Sequence, residues 1–223
     1  MAEGNTELKT LYFGNPFEKL KEQTGDVITR WSQRAATPYG KEHAEEVIQL
    51  SRQHTETTLR LVKQRAQEMG IKTVVIATTT GYAAVKAVEI LDGIKVIAVT
   101  HPTGHHGANK QELTDENRKI IESKGGTVLT CAMALSSPPN IIPGMPWVGG
   151  IIASTLRFFG EGMKVTVEIV LEAADAGLVR TDEEVISVAG TGRGSDTAIL
   201  LRPVNSKDLS RLRIREILCK PHF

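Results

Sequence analysis

Along the chain, short β-branched runs alternate with longer stretches whose apolar residues fall three and four apart, the periods of strand and helix. The clearest unit spans Lys72 to Leu91. Val74-Val75-Ile76-Ala77 reads as a buried strand, Thr78-Thr79-Thr80-Gly81 as a turn, and Tyr82 onward, with Ala84, Ala87, Val88 and Leu91 on one face, as a helix. Lys95–Thr100, Thr127–Thr130, Val185–Ala189, Thr197–Arg202 and Ile214–Lys220 repeat the strand pattern, and Thr10–Phe13 is a further candidate near the start. Helical spacing is expected over Phe17–Ala36, from Lys41 to Met69 as either one helix or two, from Thr114 to Lys124, from Val148 to Phe159 and from Met163 to Ala176. In the last of these, Met163, Val167, Val170, Leu171 and Ala174 form the apolar face, and Glu168, Glu172 and Asp175 are expected to face solvent. Seven strand candidates with four or five helices between them predict an α/β fold, a three-layer α/β/α arrangement.

Residues 1–223 fit one α/β domain, with the helical stretch 15–53 as an insertion within it. Ser136 to Gly150 carries four prolines and Trp147 and predicts an irregular loop of the kind that covers a site. The formal net charge of +1 is spread along the chain, which argues against a nucleic-acid partner and for a small one. Cys131 and Cys219 are too few and too far apart for a disulfide framework and are expected to pack in the interior. With no apolar run long enough to span a bilayer and no export signal, a soluble cytoplasmic protein without membrane contact is expected.

Two loops carry candidate chemistry. Thr78, Thr79, Thr80 and Gly81 lead into Tyr82 at a helix N-terminus, where free amides and hydroxyls suit an anion, although a threonine that merely caps the helix accounts for the same residues. Gly190, Thr191, Arg193, Gly194 and Ser195 follow another strand, and Arg193 could supply a forked, charge-assisted contact; the competing reading is a plain hairpin with Arg193 exposed. His101, His105 and His106 are close in sequence, but without a carboxylate or cysteine partner they predict no metal site.

The paired loops resemble those of the C-terminal α/β domain of pyruvate kinase, with Arg193-Gly194-Ser195 one residue tighter than that pattern. A closer likeness is to small stand-alone pyruvate kinase α/β-domain proteins of prokaryotes, mainly archaea. It is carried by Leu11-Tyr12-Phe13, Thr55-Glu56-x-Thr58-Leu59, Gly70-Ile71-Lys72, Thr80-Gly81, Ala173-Ala174-Asp175-Ala176-Gly177, Glu184-Val185, Arg193-Gly194-x-Asp196-Thr197-Ala198 and Arg215-Glu216-Ile217. The resemblance implies a mixed, mostly parallel sheet flanked by helices and a bound flavin mononucleotide, FMN. Its phosphate would take the Thr78–Gly81 turn, and the loops holding Asn15, His101, Thr103 and Gly104, and Gly190 to Ser195 would surround its ring. Pyruvate kinase catalysis is not expected, since it resides in a barrel of about 250 residues that this chain cannot contain. Two other expectations stand beside ligand binding: a regulatory or interaction module that assembles as a homo-oligomer through the N-terminal helical stretch, and a flavin-dependent enzyme.

Overall fold

The computed structural model describes residues 41–136 and 148–221, with side chains on the first helix from Arg52. The expected strand Thr10–Phe13, the helix Phe17–Ala36, Asn15 and Trp147 lie outside the described residues. Among these residues six strands, β1 (Thr73–Ala77), β2 (Lys95–Thr100), β3 (Thr127–Thr130), β4 (Val185–Ala189), β5 (Thr197–Arg202) and β6 (Arg213–Cys219), form one sheet in the order β3-β2-β1-β4-β5-β6. The first four in that order are mutually parallel, and β5 and β6 run antiparallel at one edge. The sheet is therefore mixed and mostly parallel.

Among the described residues, five α-helices flank it: α1 (Lys41–Met69), α2 (Tyr82–Ile90), α3 (Asp115–Ser123), α4 (Val148–Leu156) and α5 (Glu161–Asp175). Strand alternation divides the core in two. Val74, Ile76, Val96 and Ile186 pack on one face with Leu59 and Val62 of α1, Ala84 and Ala87 of α2, and Ile121 of α3. Val75, Ile97, Val99 and Val185 pack on the other with Ala153 of α4 and Met163, Val167 and Leu171 of α5. This is the three-layer α/β/α arrangement. Among the described residues, no helix is long and apolar enough to cross a membrane.

Lys41 to Met69 is one continuous helix. It therefore runs unbroken past Gln53, where the helical insertion was expected to end. Thr55 and Thr58 open no second helix, because both hydroxyls are engaged with another part of the chain. Helix stops fall where glycines predict them. At Gly70, φ +68, Gly70 N–H donates to Gln67 O and Ile71 N–H to Ala66 O, a Schellman ending that only a residue at ease with positive φ closes without strain.

One expectation fails on α5. Glu168 and Glu172 do not face solvent; both are buried, as is Lys164. The reason lies outside the helix. The segment after β3 crosses the polar stripe of α5, and the carboxylates accept its backbone amides, Ala134 N–H to Glu172 at 3.2 Å and Leu135 N–H to Glu168 at 3.0 Å. Asp175 alone of the three stays exposed.

Candidate functional site

β1 is the point at which the connections diverge: the chain leaves it on one side to β2 and β3, and β4 closes on its other side. In open α/β sheets the crevice beyond the carboxyl ends of such strands is where ligands collect. Both loops singled out in the sequence hang there. Ile76 pairs with Val188 in parallel register, so Thr78–Gly81 after β1 and Gly190–Ser195 after β4 leave the sheet side by side. The second loop is also a hairpin, since β5 returns antiparallel from it. The two readings of that loop are therefore compatible. The loop holding His101, Thr103 and Gly104 leaves the same edge from β2, which pairs with β1 through Ala77 and Val99.

In the first loop, no threonine caps α2. The N-cap is Gly81, φ +105, and it makes no side-chain cap bond. The first-turn amides are thus left to whatever lies beyond the helix end. The turn is fastened from behind: Thr80 O accepts from Thr114 N–H at 3.3 Å and from Asn117 Nδ2 at 2.8 Å. Thr78, only 5 % exposed, keeps a buried hydroxyl with no hydrogen-bond partner. Tyr82 is half-buried, with the Arg52 guanidinium 4.7 Å above its ring centroid.

The second loop is held by its own aspartate and by α1. Asp196 is buried and accepts from Thr191 N–H at 2.7 Å and Thr197 Oγ1 at 2.6 Å. Burial pushes its carboxyl above the ordinary range, against the pull of these hydrogen bonds. The Ser195 peptide is clasped on both sides, its N–H donating to Thr55 Oγ1 at 2.9 Å and its carbonyl accepting from Thr58 Oγ1 at 3.1 Å. With the peptide so occupied, the fully buried Ser195 hydroxyl has no partner. His54, beside this clasp, is kept below its usual pKa by burial, while Asp196 pulls the other way. Arg193 stands exposed at the tip. Gly162 at the start of α5 packs so close to Asp196 and Thr197 that a Cβ there would lie 3.1 Å from Asp196 Oδ1 and nearer still to Thr197.

Sequence reasoning missed Arg52, Thr55 and Thr58, one face of α1 that touches both loops. The signal available was two threonines one helical turn apart in an otherwise charged stretch, and it reads equally as a helix cap. It also missed Glu112. The histidines were expected to lack a carboxylate, yet Glu112 Oε2 lies 2.7 Å from His101 Nδ1 and 2.8 Å from His106 Nδ1, which corrects that expectation.

Beyond β3 lie the buried polar residues Lys164, Glu168 and Glu172, with Cys131 beside them only half-buried and not in the interior position expected of it. Lys164 pairs with Glu168 one turn along α5, and the Cys131 thiol donates to Glu172 at 3.8 Å. Burial, and then the neighbouring Glu172, push that thiol up to about 12; burial does the same for Cys219, so neither is a thiolate nucleophile at neutral pH. Burial, and then Glu168, raise Glu172 to about 8. A carboxyl raised in the folded state stabilises the fold fully below its unfolded pKa, and that contribution is lost as pH rises through the folded value. Glu172 should therefore make the protein progressively less stable from about pH 4.5 to 8. Glu172→Gln should match the wild type at pH 4.5 and exceed it at pH 8 by an amount on the order of a few kcal/mol. Urea unfolding at the two pH values checks this, and equal differences at both would refute it.

A doubly flanked, mostly parallel α/β sheet with two hydroxyl- and glycine-rich loops side by side at its switch point defines the class, an open α/β domain. The particular family follows from the sequence of that frame, since residues 56–201 match the family model of the pyruvate kinase alpha/beta domain, and the chain belongs to that family.

Proposed function

We propose that the protein binds a phosphorylated small molecule, FMN, in the crevice between the β1 and β4 loops. The observation that carries the reading is a pair of buried hydroxyls without partners, Thr78 and Ser195, one on each loop, beside an α2 N-terminus that no side chain caps. Buried polar groups are normally satisfied, and an unsatisfied one costs about 1–3 kcal/mol. Two at adjacent strand ends fit a ligand that brings several acceptor oxygens. The donor set around them, Thr79 and Thr80 hydroxyls, α2 amides and the Arg193 guanidinium, suits a phosphate dianion. FMN is the ligand that the family resemblance suggests. Its phosphate would rest on Thr78–Gly81 with Arg193, Gly194 and Ser195 opposite, and Tyr82, His101, Thr103 and Gly104 are the neighbours available to the rest of the molecule.

The test is Arg193→Ala, a change at an exposed tip that should leave the thermal midpoint within about a degree or two. FMN affinity should fall roughly ten- to a hundred-fold, the scale of a lost charge-assisted hydrogen bond. Riboflavin, which lacks the phosphate, should bind the variant and the wild type alike. Equal weakening of both ligands, or of neither, removes Arg193 from the phosphate; a wild type that binds neither FMN nor a sugar phosphate removes the reading itself.

A further inference from the structure

The loop from His101 to Glu112 has a chemistry of its own. Three of the chain's six histidines lie in it, and one nitrogen from each of His101, His105 and His106 falls within 4.8 Å of the other two. The ring centroids are 4.4, 4.5 and 5.6 Å apart. Glu112 bonds the Nδ1 atoms of His101 and His106 through a single oxygen. With Nδ1–H donating to Glu112, the Nε2 lone pairs of His101 and His106 remain available. This is the carboxylate–histidine arrangement that fixes tautomer and ring orientation in metal sites.

The loop is built to hold the shape. Gly104 N–H donates to Lys110 O at 2.9 Å and His105 N–H to Pro102 O at 3.1 Å. The Gln111 side chain ties both ends, donating to His101 O at 3.1 Å and accepting from Glu112 N–H at 2.7 Å. At the root, the Thr100 hydroxyl bonds that of Thr130 at 2.7 Å.

We infer that His101, His105 and His106 form a three-imidazole site for a divalent transition metal of the zinc class, oriented by Glu112 and open at a fourth position. The donor set suits zinc, cobalt or nickel rather than magnesium or calcium, which prefer oxygen. A tetrahedral ion with Zn–N near 2.1 Å needs nitrogens about 3.4 Å apart, so the half-buried His101 ring and the exposed His105 and His106 rings would turn inward to close on it. The inference does not rest on flavin binding, and it is tested without flavin.

Untagged full-length protein is titrated with Co²⁺ and read by its visible ligand-field absorption. One equivalent should produce the intense band of a low-coordinate cobalt–imidazole centre, and Zn²⁺ should bleach it. His105→Ala/His106→Ala should give only the weak spectrum of aqueous Co²⁺, with an unchanged thermal midpoint in metal-free buffer. Glu112→Gln should retain the band but weaken binding about 10- to 100-fold, as expected of a residue that positions ligands without touching the ion. If the double variant does not fold, His106→Gln takes its place and should likewise weaken binding. No band in the wild type, or a band of unchanged affinity in either histidine variant, overturns the assignment.

Discussion

Lys164→Met is expected to destabilise the fold by about 3–5 kcal/mol at neutral pH, the cost of stripping the partner from a buried charge. The ammonium is 4 % exposed, the Glu168 carboxylate 3 %, and each is the other's ion-pair partner along α5. Glu168 also accepts the Leu135 amide, so without the lysine it cannot turn to solvent without releasing the segment that follows β3. Glu172 lies close by with its own pKa already raised to about 8, and it offers no compensating cation. Adding Glu168→Gln to the variant should restore part of the loss, because the amide oxygen can still accept from Leu135 N–H while the buried charge disappears. Urea unfolding of both variants gives the comparison. A single-variant loss below about 1 kcal/mol would mean that the pair behaves as a solvated surface pair and not as the buried one described.

Gly81→Ala is expected to be nearly as severe and, if the proposed function holds, to abolish FMN binding as well. A residue with a side chain is strained at φ +105, by about 1–3 kcal/mol. The added Cβ would lie 2.8 Å from Leu113 Cδ1, 3.0 Å from Asn117 Cγ and closer still to Asn117 Cβ, an overpacking that costs about 1–3 kcal/mol more. Relief requires α3 to back away, which breaks the Asn117 and Thr114 hydrogen bonds to Thr80 O. The turn that presents the α2 amides would then lose its support. Asn117→Ala in the same background keeps the Cβ that makes the closest contact and also loses the Nδ2 hydrogen bond to Thr80 O, so it should recover none of the stability. A melting temperature for Gly81→Ala within about 2 °C of the wild type would show that the turn is not held as described.

The periodicity of Val74–Ala77, Lys95–Thr100 and Val185–Ala189 was enough to determine the strands, because each is buried on both faces and a continuous β-branched run has few other uses. Gly70 and Gly177 determined two helix ends, since positive φ is a local demand that glycine meets alone. The character of both candidate loops was equally local: hydroxyls and glycines after a strand, with Arg193 among them. What local pattern could not supply was neighbourhood. That β4 lies beside β1, bringing Thr78 and Ser195 to one edge, depends on pairing across more than a hundred residues. That Thr55 and Thr58 serve the Ser195 peptide instead of capping a helix depends on where α1 crosses the hairpin. The polar stripe of α5 matches that of a solvated helix in every residue, and only the backbone laid over it by the segment after β3 turns Glu168 and Glu172 into buried ligands of amides. The same holds for Glu112, eleven residues from His101, which meets the histidines because the loop doubles back on Gly104 and Gln111. Elements, stops and loop chemistry are short-range consequences of side-chain shape and backbone freedom, and the amino-acid sequence alone determined them. Which charges are buried, which hydroxyls go unpaired and which imidazoles converge are set by packing between distant segments, and only the tertiary structure decided them.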